Sequence, residues 1–126
     1  MKTLTVEQSR RAFLAHVAEG SLQKQLIDEL TLTGHLVVHF RPARTKTGWR
    51  TPLSGHPGFP DVVALSPPDA SGRCLLKVAE IKTLTGRYRS GQEAWLARFR
   101  ASGALVITLR PGMDDEFAEF VQARPT

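Results

Sequence analysis

The stretch from Leu75 to Lys82 constrains the fold of this chain more than any other. Leu75, Leu76, Val78 and Ala79 are core material at strand spacing, yet the run passes straight into Glu80, Ile81 and Lys82. Side chains alternate along a strand, so Glu80 and Lys82 face one side and Ile81 the other. A carboxylate and an ammonium therefore stand together at the end of a buried strand. Upstream, Asp61 opens a second apolar run, Val62-Val63-Ala64-Leu65, and Pro67, Pro68, Asp69, Ser71 and Gly72 supply turn chemistry between the two. This predicts an antiparallel hairpin of strands 61–65 and 74–82, which brings Asp61 near Glu80 and Lys82.

The remaining elements follow from periodicity and punctuation. Thr5, with Gln8 three residues on, forms a capping-box pattern for a helix to Ala18 that carries Val6, Phe13, Leu14 and Val17. Leu22, Leu26, Ile27 and Leu30 predict a second helix stopping at Gly34, or equally the continuation of the first as one bent rod across Gly20. His35 to Phe40 reads as a strand and Arg41 to Pro60 as a long loop without periodicity, a length that in a compact domain asks for a functional reason. Ser90-Gly91-Gln92-Glu93 has a capping-box pattern that starts a helix with Trp95, Leu96 and Phe99. Ala104 to Leu109 is a further strand, and 114–123 a last helix with Phe117, Phe120 and Val121 inward. The strand at 104–109 follows a crossover helix and should lie parallel to its neighbour. The expected fold is α/β, a mixed sheet flanked by helices. It forms one globular domain, in which 1–18 is an N-terminal helical extension to the body at 19–126.

Composition narrows the class. With 41% hydrophobic and 23% charged residues the chain has material for one soluble core. It contains no apolar run long enough for a membrane span and no basic-then-apolar leader pattern, so a cytoplasmic location is expected, with no membrane partner. Cys74 is the lone cysteine, expected as a small buried residue, and excludes an intrachain disulfide. The net charge of +5 and pI near 10.0 point toward a polyanionic partner, nucleic acid first.

Two carboxylates held close repel each other unless a proton or cation sits between them. Carboxylate oxygens suit Mg²⁺ or Mn²⁺, and such an ion bridging a phosphodiester would acidify a water and offset charge on phosphorus. On this reading Asp61 and Glu80 are catalytic metal ligands, Ile81 adds its backbone carbonyl, and Lys82 orients the water or the phosphate. The competing reading is a surface ion pair of Glu80 with Lys82. Arg41, Arg44, Lys46 and Arg50 come with no acidic residue among them, shortly before Asp61. They would grip phosphates, with Trp49 stacking on a base, unless the loop is simply a solvated one. His39 and His56 flank the loop without zinc-site spacing, which leaves structural or phosphate-contact roles.

Pro60-Asp61 and Glu80-x-Lys82 are separated by 18 intervening residues. With His39-Phe-Arg-Pro-Ala-Arg44, Gly48-Trp-Arg-Thr-Pro52, Gly58-Phe-Pro-Asp61, Gly86-Arg87 and Gln92 with Trp95, they resemble the VRR-NUC family of the PD-(D/E)xK nuclease superfamily over about 19–111. The resemblance implies a restriction-endonuclease-like fold and Mg²⁺- or Mn²⁺-dependent hydrolysis of DNA by an endonuclease, without an organic cofactor. Stand-alone members are associated with branched DNA such as Holliday junctions and act as homodimers, for which the 5–18 helix is the expected interface. It also implies a metal-binding Glu in an E-x-x-(F/L)-Q arrangement, matched by Glu19-Gly-Ser-Leu22-Gln23, although Gly20 departs from a good helix former at about 1 kcal/mol; Glu7 is the alternative. Gln92 is expected to face the active site, Trp95 to be core, and His39 and Arg87 to join the DNA contacts. A nuclease-like module that binds DNA without cutting it is the rival function.

Overall fold

The hairpin expected from the two apolar runs forms, and the rest of the sheet is assembled around it. A computed structural model describes residues 3–40, 43–45, 48–50 and 55–126. Its elements are α1 (Val6–Leu14), α2 (Glu19–Leu32), β1 (Leu36–His39), β2 (Ala43–Thr45), β3 (Gly48–Arg50), β4 (Val62–Leu65), β5 (Leu76–Ile81), α3 (Gln92–Ala101), β6 (Leu105–Leu109) and α4 (Asp114–Gln122). β1, β4, β5 and β6 make one sheet in that spatial order. β1 and β4 pair antiparallel, as do β4 and β5, with Val62 opposite Ala79; β6 joins β5 in parallel, as a crossover through α3 requires.

Each face of the sheet has its own cover. Leu22, Leu26 and Leu30 recur once per turn of α2 and pack with Phe120 and Val121 of α4 on Val62, Ala64, Ala79, Ile81 and Leu109. Val78 points the other way, toward the side on which α3 buries Leu96. β5 is thus covered on both faces, which is why its sequence reads as continuous core. Lys77 is the exception within that run: wholly buried, its Nζ donates to the carbonyls of Phe120 at 2.7 Å and Val121 at 2.9 Å and lies 2.9 Å from His35 Nε2. It fastens the carboxyl end of α4, whose last carbonyls have no partner within the helix.

Four expectations are corrected. The 41–60 stretch contains a short antiparallel hairpin, β2 with β3, whose three-residue strands are too brief to show alternation. Thr5 and Gln8 do form the capping box of α1, but the helix ends at Leu14 and not at Ala18, and its apolar residues divide: Val6 is 88% and Phe13 71% exposed, while Leu14 and, beyond the helix, Val17 are half-buried. α3 begins at Gly91 in a left-handed conformation, not at a Ser90 cap. Cys74 is exposed, because the turn preceding β5 extends past it.

Candidate active site

One end of the sheet collects the chemistry, because strand direction leaves no other arrangement. The carboxyl ends of β1 and β5 and the amino end of β4 coincide there, and α2, running opposite to β1, starts at the same end. Continuing the register from Val62 opposite Ala79 places Asp61 opposite Glu80 and Pro60 opposite Ile81. Asp61 is held by its neighbours: its carbonyl accepts from the Phe40 amide at 3.0 Å, and its Oδ2 accepts from the Ile81 amide at 2.8 Å. In a strand the amide and carbonyl of one residue point to the same side. The Ile81 carbonyl therefore faces Asp61 as well, across from Pro60, which has no N–H to offer it.

The approach of Pro60-Asp61 is set by aromatic packing and by two glycines. Phe59 lies edge-on to Phe40, Trp95 and Phe99, with centroid distances of 5.2, 5.0 and 6.0 Å. Trp95 is accordingly half-buried core, its indole N–H donating to the Pro57 carbonyl. Gly58 and Gly91 have φ of 96° and 85°, and their backbones cross. A Cβ on Gly58 would press into the Gly91 carbonyl carbon and come 2.6 Å from the Gln92 nitrogen. Only two bare backbones pass this closely, and the crossing fixes Asp61 relative to Gln92.

Glu80 is 1% exposed, and every part of its surroundings acts on its proton. Its Oε1 accepts from Gln92 Nε2 at 3.0 Å and is 3.9 Å from Lys82 Nζ. Its Oε2 has no donor among the described residues. Burial first, and then the neighbouring Asp61 carboxylate, push the carboxyl up to about 9, against an opposing pull from Lys82. The upward shift favours a proton on Glu80, which relieves the repulsion from Asp61. A cation between the two carboxylates would do the same work.

Gln92 organises the other half of the site. Its Oε1 accepts from Lys82 Nζ at 2.7 Å and from the Arg89 amide at 2.6 Å, which leaves Nε2 to donate to Glu80. The amide orientation is thereby determined, and Lys82, 4% exposed, is aimed at the carboxylates with its Nζ 5.8 Å from the centre of the Tyr88 ring. The surface ion pair considered from sequence is replaced by a buried network of Asp61, Glu80, Lys82 and Gln92.

The all-oxygen donor set suits a hard divalent cation: Asp61, the unpartnered Glu80 Oε2 and the Ile81 carbonyl. Among the described residues no three His, Cys, Asp or Glu side chains gather into a cluster that would hold a metal alone. Glu19 begins α2 at the same sheet end and is exposed; its charge contributes to raising Glu80, the smallest of the influences on that carboxyl. Glu7 lies in the first turn of α1. His39 ends β1 opposite Val62, half-buried, its Nδ1 without a partner among the described residues. Arg41 and Lys46 lie outside the described residues, as do the side chains of Arg44, Trp49 and Arg50 in β2 and β3. Arg87 is exposed in the loop between β5 and α3. Sequence reasoning missed Tyr88, Arg89 and Arg110. Tyr88 and Arg89 carried a local signal, being interleaved with Arg87 just before the Gln92 helix, whereas Arg110 reaches this loop only through the parallel pairing of β6.

Comparison with family models identifies a VRR-NUC domain over residues 6–111, a span that takes in α1 and all four residues of the buried network. Comparison with curated proteins and with solved structures gives no match.

Proposed function

The chain belongs to the VRR-NUC domain family, a nuclease-type domain, and on that premise we propose that it is a divalent-metal-dependent endodeoxyribonuclease acting on branched DNA, Holliday junctions included. The observation that carries this reading is the placing of Asp61 beside a buried Glu80 whose Oε2 has no donor among the described residues, next to a lysine aimed by Gln92. Asp61, Glu80 and the Ile81 carbonyl would hold Mg²⁺ or Mn²⁺, with Glu19 as the further carboxylate at that sheet end. When bound, such an ion supplies Lewis acidity toward the scissile phosphate and lowers the pKa of a coordinated water. For the site to load, Glu80 gives up its proton. Lys82 offers its ammonium to a non-bridging phosphate oxygen or orients the attacking water, and Gln92 keeps it there while holding Glu80 Oε1. The basic 41–50 segment, His39 and Arg87 would supply sequence-independent phosphate contacts.

A two-fold homodimer fits this activity, since a symmetric junction presents two equivalent strands. The exposed Val6 and Phe13 make α1 the candidate interface. The test is direct. End-labelled four-way, flap, linear duplex and single-stranded DNA are incubated with the protein and Mg²⁺ or Mn²⁺, beside Asp61→Ala and Lys82→Ala. Branched DNA should be cut by the native protein alone, with cleavage lost by 100-fold or more, about 3 kcal/mol of barrier, in each variant. Binding without cleavage in either metal would identify a non-catalytic module, and equal cleavage by both variants would overturn the site.

A further inference from the structure

Next to the buried network lies a cleft of about 870 Å³, of whose lining the catalytic reading uses Arg87 alone, as a general phosphate contact. Its walls include Arg87, Tyr88, Arg89, Gly91 and Arg110, with Glu93 the one carboxylate among its lining residues. Arg110 is fixed in place: its Nη1 donates to the carbonyls of Thr83 at 2.9 Å and Gly86 at 2.7 Å. Those carbonyls belong to the turn that follows Lys82. The Nε and Nη2 of Arg110 make no hydrogen bond among the described residues. No Asp or Glu lies within ion-pair distance of Arg87, Arg89 or Arg110, and every acidic residue of the chain is among the described ones. Three guanidinium groups thus surround one concavity with little to neutralise them. Arg89 is also coupled to the site through its backbone, since its amide donates to Gln92 Oε1.

Tyr88 joins cleft and site. Its hydroxyl is 2.5 Å from Thr108 Oγ1, which fixes the ring, and the ring centre is 5.8 Å from Lys82 Nζ. Tyr88 thus borders both Lys82 and the arginine-lined cleft, so that a strand lying at Asp61, Glu80 and Lys82 would find the cleft beside it. Guanidinium forks match phosphate oxygens in both charge and geometry.

We propose that this cleft is a second phosphate subsite for the strand being cut, in which Arg110 is the fixed donor and Arg87 and Arg89 close over a phosphate flanking the scissile one. The proposal rests on the nuclease reading and adds the path of the backbone: the strand is gripped on the α3 side of the site, by residues separate from the 41–50 segment. Arg110 acts twice, on the phosphate and on the turn behind Lys82.

Substrates in which a single phosphate near the cut is replaced by a neutral methylphosphonate, walked along both sides, test this against an Arg87→Ala/Arg89→Ala double variant. Both side chains are exposed, and the double variant should fold normally. For the native protein, neutralising one flanking position should lower kcat/KM by about tenfold, as expected for a charge-assisted contact. The double variant should lose about as much on the unmodified strand and nothing further on the neutral one, and a double lysine variant should recover part of the loss. Equal loss in native and double-variant protein, or no sensitive flanking position, would overturn the subsite. Binding of the same oligonucleotides without metal, read by fluorescence anisotropy, separates the two readings. Coupling in binding without cleavage in any metal would keep the subsite and remove the nuclease, whereas cleavage without coupling would keep the nuclease and remove the subsite.

Discussion

Glu80 bears opposing demands from stability and chemistry. A carboxyl that ordinarily titrates near 4.5 is pushed up to about 9 by burial and by Asp61. Between these values the folded chain keeps a proton that the unfolded chain releases, so Glu80's contribution is fully present below about pH 4.5 and is lost as pH rises toward 9. Glu80→Gln removes that loss and preserves the shape. In metal-free buffer the variant and the native protein should melt alike near pH 5, with the variant the more stable at pH 8.5, while cleavage is abolished. Equal melting at pH 8.5 would show that Glu80 is not held protonated. Asp61, Glu80 and Lys82 were legible in the sequence because charged residues interrupt apolar strands at alternating positions. The upward shift of the Glu80 carboxyl was not, since it depends on how dry the strand end becomes.

At the scale of elements, the site is aimed by contacts that leave little trace in local pattern. Ser90-x-x-Glu93 suggested a conventional cap, but the crossing with Pro57 and Gly58 requires Gly91 there in a left-handed conformation. Gly58→Ala combines an unfavourable φ with a backbone clash and should cost about 1–3 kcal/mol in denaturant melts. It should also lower cleavage, because Asp61 shifts relative to Gln92; undiminished stability and activity would remove the crossing as the aligning device. The far end of the sheet behaves differently with pH. Burial, followed by the charge of Lys77, lowers the pKa of His35, and burial with Arg124 brings Lys77 down to about 8. A base depressed in the fold penalises protonation, so stability from His35 falls as pH drops from 6.5 toward its folded pKa. His35→Gln keeps an acceptor for Lys77 without titrating. Its stability relative to the native protein should improve as pH falls below 6.5, and a constant difference between pH 7.5 and 5 would rule this out. Lys77 sat within an apolar run, and nothing local revealed that it closes a helix 43 residues away.

For the whole molecule, the decisive relation is between a positively charged exterior and an acidic, proton-bearing interior site. The mixed sheet and its helices could be read from periodicity, as could the parallel last strand, because the crossover rule leaves few topologies. The β2–β3 hairpin and the arginine-lined cleft were hidden by short strands and long-range pairing. A net charge of +5 draws in polyanions but also disfavours a free divalent cation at long range, so affinity for Mg²⁺ or Mn²⁺ has to come from the local carboxylates. Burial and Asp61 push the Glu80 carboxyl up to about 9, so at pH 7.5 the metal-free site should carry a proton. Metal binding must displace it, and the affinity should rise with pH up to about 9. Calorimetric titration of Mn²⁺ into the protein at pH 7.5, in buffers of different ionisation enthalpy, should give apparent enthalpies that vary linearly with the buffer, with a slope near one proton released per ion. The Glu80→Gln variant should lose both the slope and most of the affinity. Melting temperature should rise with Mn²⁺ concentration, by about 2.7 kcal/mol of stability at 100 times Kd. Removal of the ion by chelation should return the protein to its metal-free stability without unfolding it, because the core on α2 and α4 forms independently of the ion. Tight binding with no proton released would mean that the ion sits elsewhere than between Asp61 and Glu80.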